Sequence, residues 1–213
     1  MLKKLLLLFG LLSVSRRIYL LIKQIISYPK WMVLKKSKHI YLEIGSGSKK
    51  SSNNNKWTTV DLYGADIIHD LRKGIPLPDD SVDQIYASHL FEHIPFKDLI
   101  VLLNEIYRVL KKDGNLSVCV PDSSLYIKSY LDGKNFFAKE KAYHPAVIDT
   151  GSLMDQVNYI AYMDQQHKFM FDKENLINIL KKIPFKIVTL RDFDESLDMK
   201  SRDFESIYAI AIK

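Results

Sequence analysis

The chain of 213 residues has a single cysteine, Cys119, so neither a disulfide framework nor a cysteine-rich zinc module is available to it, and a reducing compartment fits. Glycine (8) and proline (7) are scarce, which excludes collagen-like and low-complexity architectures. No run of about 18 apolar residues is free of charge, so no membrane-spanning helix is expected. No Gly-Lys-Ser/Thr of a phosphate-binding loop occurs, which argues against ATP hydrolysis. Asp and Glu are missing altogether from the first 38 positions, which hold nine of the 31 Lys and Arg residues.

That last absence relocates the charge. The net +6 belongs to residues 1–38, because the remainder carries 22 basic against 25 acidic side chains. A nucleic-acid binder wants its basic stripe on the folded domain, so no nucleic-acid partner is expected. What the chain does have, 47% hydrophobic and 26% charged residues, suits one ordinary domain with an appendage, residues 39–213 and residues 1–38 respectively.

The appendage is apolar as well as basic. Residues 5–12 are a greasy run broken by Gly10, and Ile18, Leu21, Ile22, Ile25 and Ile26 recur at helical spacing. Arg16, Lys23 and Lys30 stand seven apart and share a helix face, with Tyr19, Tyr28 and Trp31 nearby. Such a helix suits an anionic membrane surface, with residues 1–34 as the contact. Its rivals are packing on its own domain or on a second copy in a homodimer, and a secretory signal cleaved near Ser13 or Ser15, which Arg16 and Arg17 oppose.

From His39 onward short strands alternate with helical stretches. Strands are expected at residues 39–44, 57–62, 66–68, 83–87, 116–120, 185–191 and 206–212. Pro95 starts a helix that Leu99, Ile100, Leu103, Ile106, Val109 and Leu110 continue until Asp113-Gly114, and Asp172 caps another carrying Leu176, Ile177, Leu180 and Ile183. The pattern implies an α/β fold with a largely parallel sheet covered on both faces. Residues 123–166 are less regular and read as a cover on the ligand side of the sheet.

Glu43-Ile44-Gly45-Ser46-Gly47 follows the first strand, where glycines permit a tight turn and close approach of a ligand. The third glycine of a dinucleotide fingerprint would fall at Lys50, which breaks that pattern. Asp61 ends the second strand, where a carboxylate can accept hydrogen bonds from ribose hydroxyls, and Asp70 follows the third, within reach of an adenine amine. Each is also an ordinary turn or cap residue. Together with the glycine turn they point to a nucleoside ligand with no required diphosphate.

LEIGSG (42–47), VDL (60–62), HDLRKGIPLPDDSVDQIYASHLFEHI (69–94), LLNEIYRVLKKDG (102–114), NLSVCVPD (115–122) and HKFMFDKENLINILKKIPFKIVTL (167–190) resemble, in that order, the class I S-adenosylmethionine-dependent methyltransferases. The nearest likeness is to the type-11 methyltransferase domains, including those of bacterial surface-polysaccharide gene clusters. The resemblance implies a Rossmann-like sheet of seven strands with the last antiparallel, and S-adenosylmethionine as cofactor. It implies Glu43, Gly45 and Gly47, with Ser46, around the methionine moiety, and Asp61 with Leu62 at the ribose. Asp70 and Leu71 would lie at the adenine, and Ser88 and His89 on the sulfonium side.

Two departures stand out. Only thirteen residues separate Gly47 from Asp61, which leaves a short helix or none after the glycine turn, and KKDG replaces the family's Pro-Gly-Gly.

Methyl transfer mainly requires alignment, and a hydroxyl or amine acceptor also needs a base, for which His93 and His167 are the candidates. Tyr143, His144 and Tyr162 are candidates for the acceptor pocket. The acceptor is expected to be a sugar, a glycan precursor or a lipid-linked small molecule, with the enzyme in the cytoplasm at the inner membrane face. His89-Leu90-Phe91-Glu92-His93 also matches H-x-x-E-H, which on a helix would bind zinc in a metalloprotease; Ile94-Pro95 opposes a helix there, and no metal is expected. A third alternative is a cofactor-binding module without turnover.

Overall fold

The computed structural model describes residues 2–48, 56–136 and 149–213, and among residues 2–17 it describes a side chain for Val14. Seven strands form one sheet in the order β3-β2-β1-β4-β5-β7-β6. They are β1 (Tyr41–Ile44), β2 (Thr58–Asp61), β3 (Ile67–Ile68), β4 (Val82–Ser88), β5 (Leu110–Pro121), β6 (Ile187–Leu190) and β7 (Ser206–Ile212). Neighbours pair in parallel except at β7, which runs antiparallel to both β5 and β6. This is the Rossmann-like arrangement that the alternating pattern and the resemblance imply.

Among the described residues five α-helices accompany the sheet: α1 (Leu2–Leu34), α2 (Phe96–Val109), α3 (Ser123–Leu131), α4 (Met154–Tyr162) and α5 (Lys173–Leu180). On α2 the 3.6-residue spacing buries Leu99, Leu102, Leu103, Ile106 and Val109 against the sheet. The helix ends one residue before the periodicity does. Leu110 is extended, at φ −63° and ψ 136°, and opens β5, so the strand begins well before residue 116. On α5 the expected cap is present, with Asp172 accepting from Asn175 N at 2.7 Å. The cover segment is more regular than its sequence suggested, because α3 and α4 pack together through Tyr126, Tyr159 and Ile160. Residues 49–55, on which the short-crossover expectation falls, and Tyr143 and His144 lie outside the described residues.

Helix α1 is continuous with the domain at its C-terminal end. Trp31 is buried in the main apolar cluster and meets the His69 ring edge-on at 5.5 Å. Ser27 Oγ accepts a hydrogen bond from Ile68 N at 3.0 Å, and Lys30 Nζ donates to the Asp66 carbonyl, so one of the basic stripe residues faces the domain. These contacts close the outer edge of β3. Ser27→Ala leaves the half-buried Ile68 amide without its acceptor and should lower stability by about 1 kcal/mol, readable as a shifted urea midpoint. Upstream, Ile18, Leu21, Ile22, Ile25 and Ile26 are exposed. Among the described residues no helix is long and apolar enough to cross a membrane.

Candidate active site

The carboxyl ends of β1, β2, β3 and β4 meet at one edge of the sheet, the edge where open α/β sheets bind ligands. The chain leaves β1 through Gly45 and Gly47, both with positive φ (72° and 60°). Gly45 N donates to Val60 O at 2.8 Å, and Gly47 N donates to Asp61 Oδ2 at 2.9 Å, so the turn is clamped to the end of β2. Asp61 Oδ1 also accepts from Tyr63 N at 3.2 Å. A cleft of about 580 Å³ opens above this turn, and Gly45, Ser46, Gly47, Asp61, Leu62, Ser88 and His89 all stand in its wall. Asp70 and Leu71 line an adjoining cavity of about 200 Å³, which shares Gly45, Asp61, Leu62, Leu90 and His93 with the first.

Two of the expected cofactor residues behave differently. Glu43 lies inside β1, is buried, and is absent from the walls of both cavities, since its strand position turns the side chain into the protein rather than toward the edge. Asp70 caps a 3-10 turn at Leu71–Lys73, accepting from Arg72 N at 3.1 Å, and grips the Arg72 guanidinium at 2.9 and 2.8 Å. That hydrogen bonding holds its pKa below the usual carboxylate value, although burial opposes the shift. The cap and the cavity wall are the same residue here, with part of its lone-pair capacity already committed.

The donor set fits an adenosyl sulfonium cofactor. A Cβ on Gly45 would stand 2.7 Å from Leu90 Cβ, whereas a Cβ on Gly47 would meet nothing within 4 Å, so the turn presents bare backbone to open space beside a carboxylate. Gly45, Gly47 and Ser46 would hold the methionine moiety, Asp61 the ribose, and the smaller cavity the base. Gly45→Ala adds a strained φ to the clash with Leu90. It should cost about 1–3 kcal/mol in thermal unfolding and weaken binding of S-adenosylhomocysteine, because Leu90 lines both cavities.

A second polar cavity of about 170 Å³ abuts the cleft, and His89, His93, Gln166 and Arg202 line both. The H-x-x-E-H residues lie on the strand end and a 3-10 turn at Phe91–His93, not on an α-helix, because Pro95 follows so closely. His89 itself is left-handed (φ 49°), an unusual conformation for a non-glycine residue. Its Nε2 lies 2.9 Å from Ser206 Oγ.

His93 and His167 rings meet edge-on with centroids 5.0 Å apart. His93 Nδ1 lies 3.2 Å from the Gln166 carbonyl and His167 Nδ1 lies 2.7 Å from the Ile160 carbonyl. A carbonyl only accepts, so each Nδ1 bears the proton and each Nε2 keeps its lone pair. Burial, then the neighbouring His167, pushes the His93 pKa down to about 4, and burial lowers His167 and His89 too, so all three imidazoles are neutral at pH 7. Burial pushes Glu92 the other way, up to about 8.

Sequence reasoning paired neither His167 with Glu92 nor Met199 and Arg202 with the cleft. Long-range neighbours of this kind leave no local pattern. Tyr162, offered for the acceptor pocket, is instead 62% exposed and absent from its wall.

Comparison with known proteins supplies the remaining finding. A family model described as a methyltransferase domain matches residues 15–190. A demethylmenaquinone methyltransferase of Listeria monocytogenes is 35% identical over 68 residues, which are 32% of this chain and 27% of that protein, so the chain matches about a quarter of that relative's length. A solved SAM-dependent methyltransferase of Thermotoga maritima, described as a possible histamine N-methyltransferase, shares the fold with a TM-score of 0.51 over 92% of this chain and 99% of that one, at 15% identity. A chain from the Haloferax volcanii complex of the Trm112 methyltransferase activator with a methyltransferase gives 0.50 over 96% and 95%, at 11% identity. With most of its length matched by that family model, the chain belongs to the methyltransferase domain family and is a class I S-adenosylmethionine-dependent methyltransferase.

Proposed function

We propose that the protein methylates a hydroxyl or amine on a sugar, a glycan precursor or a lipid-linked small molecule presented at a membrane surface. The observation that carries the acceptor side is the junction of the two cavities: His93 faces the cofactor cleft and the small polar cavity at once. The bound cofactor supplies an activated methyl group on a sulfonium. His93 Nε2, whose lone pair is free because Nδ1 donates to the Gln166 carbonyl, would take the acceptor's proton as the methyl group is transferred. His167, behind His93, keeps that ring in place by packing against its edge. Gly45 and Gly47 fix the cofactor's position, and Asp61 accepts from the ribose hydroxyls.

The lipid-linked acceptor is supported by the exposed apolar residues of α1 and the basic composition of residues 1–34, which together suit an anionic bilayer surface at the inner face of a membrane.

The test has three arms. Calorimetry should show one S-adenosylhomocysteine site and no NAD site. His93→Ala should lower the rate of labelled-methyl transfer by about 10²–10⁴-fold while leaving S-adenosylhomocysteine bound. The protein should sediment with phosphatidylglycerol vesicles, less so at high salt, and not with phosphatidylcholine vesicles. Absence of S-adenosylhomocysteine binding would overturn the reading, and binding without transfer to any acceptor would leave a cofactor-binding module.

A further inference from the structure

We propose that Glu92, His93 and His167 form a binding site for a divalent cation of the zinc class, open toward the methyl-donor cleft. Each residue offers a ligand atom, and these atoms lie within 4.8 Å of one another. Two imidazoles with one carboxylate is the donor set of an open, catalytic-type zinc centre, and the nitrogen ligands disfavour magnesium and calcium. Bonds of about 2.0–2.1 Å to a tetrahedral ion would place the ligand atoms ~3.3 Å apart, so the three side chains would close on a bound ion.

Three features show a built site rather than a chance cluster. Both Nε2 lone pairs are free of protons because the backbone carbonyls of Gln166 and Ile160 hold the two Nδ1 protons. This is the outer hydrogen bonding that orients metal-binding histidines. The Glu92 side chain is 2% exposed, and its Oε2 has no hydrogen-bond partner among the described residues, a costly arrangement for a buried polar atom. The two chain segments that carry the ligands are also joined directly, since Glu92 O accepts from Lys168 N at 2.7 Å and Phe169 N at 3.2 Å. The H-x-x-E-H reading therefore changes its members: His167 takes the place of His89 beside Glu92 and His93. His89 Nδ1, 3.6 Å from Glu92 Oε1, stands beside the carboxylate, and Arg202 is the lysine-or-arginine cation in the same wall.

The site does not depend on which acceptor the enzyme uses. Its role rests on the methyltransferase reading: an acceptor hydroxyl that ligates the ion sheds its proton to solvent near neutral pH, the work otherwise left to His93 alone.

The chelator-treated full chain, without added histidine tags, should bind one zinc ion by calorimetry and one cobalt(II) ion with a visible ligand-field band of tetrahedral intensity. Glu92→Gln and His167→Ala should each weaken zinc binding by at least 10-fold while S-adenosylhomocysteine still binds, which shows the variants folded. Stoichiometric zinc lost in both variants supports the site. A folded protein that binds S-adenosylhomocysteine but no zinc, or zinc binding that survives both variants, overturns it. Zinc binding without S-adenosylhomocysteine binding would instead overturn the cofactor reading and leave the metal site standing.

Discussion

Replacing Asp61 with alanine should raise the dissociation constant for S-adenosylhomocysteine by about 100-fold, with a melting temperature close to that of the parent protein. The carboxylate sits at the end of β2 in the wall of both the cleft and the adjoining cavity. Two hydrogen bonds from ribose hydroxyls to a charged acceptor are each worth about 1.5–3 kcal/mol, and ~3 kcal/mol in total is two powers of ten in affinity. The same oxygens accept from Gly47 N and Tyr63 N, so alanine also frees the glycine turn that would hold the methionine moiety. Asp61 is half-exposed, and water can satisfy those amides in the unliganded protein, which keeps the stability effect small. Asp61→Asn keeps one acceptor oxygen and should lose about tenfold. A calorimetric titration of Asp61→Ala that overlays the parent would sink the ribose assignment.

The parts of the molecule that local pattern can report were readable before the fold was known. Apolar positions on α2 repeat at helical spacing because one face of that helix packs on the sheet. The end of β1 is marked by its glycine turn, and Asp172 announces a helix because its side chain caps one, whereas no local signal marks Leu110 as the start of β5. The glycine turn and Asp61 could be placed together because each follows a strand, and parallel strands bring their carboxyl ends to one edge. What stayed hidden depends on distance along the chain. His167 reaches Glu92 and His93 through two backbone hydrogen bonds to the Glu92 carbonyl, and hydrophobic periodicity carries no trace of them. Glu43 directly precedes the glycine turn, yet its own side chain is buried and stands in neither cavity wall, which a position in sequence does not reveal. The attachment of α1 was similarly obscured. Its exposed isoleucines dominate the composition, whereas Ser27 and Trp31 make the contacts with the domain.

Asp198→Ala should destabilise the protein by about 3–5 kcal/mol, the usual cost of leaving one half of a buried ion pair uncompensated. The Asp198 side chain is fully buried and accepts four hydrogen bonds. Arg191 contributes two of them, at 2.5 and 2.8 Å, and Tyr86 Oη and Asp194 N donate the others at 2.8 Å each. Arg191 is itself 14% exposed, stacked over the Tyr208 ring and bonded to Ser117 Oγ, so it cannot follow the lost charge into water without unpacking β5 and β7. The pairing, rather than the charges themselves, is what stabilises. An Asp198→Leu, Arg191→Met double variant, which replaces both members with apolar side chains, should therefore recover a large part of the loss in a denaturant titration. A double variant no more stable than Asp198→Ala would show that the four acceptor bonds, not the orphaned guanidinium, set the cost. The effect reaches the site as well. Asp198 immediately precedes Met199, which lines the cofactor cleft, and Arg202 follows within one turn. Under conditions where the single variant remains folded, it should bind S-adenosylhomocysteine more weakly than the parent, while the double variant, with the segment repacked, should bind it nearly as well.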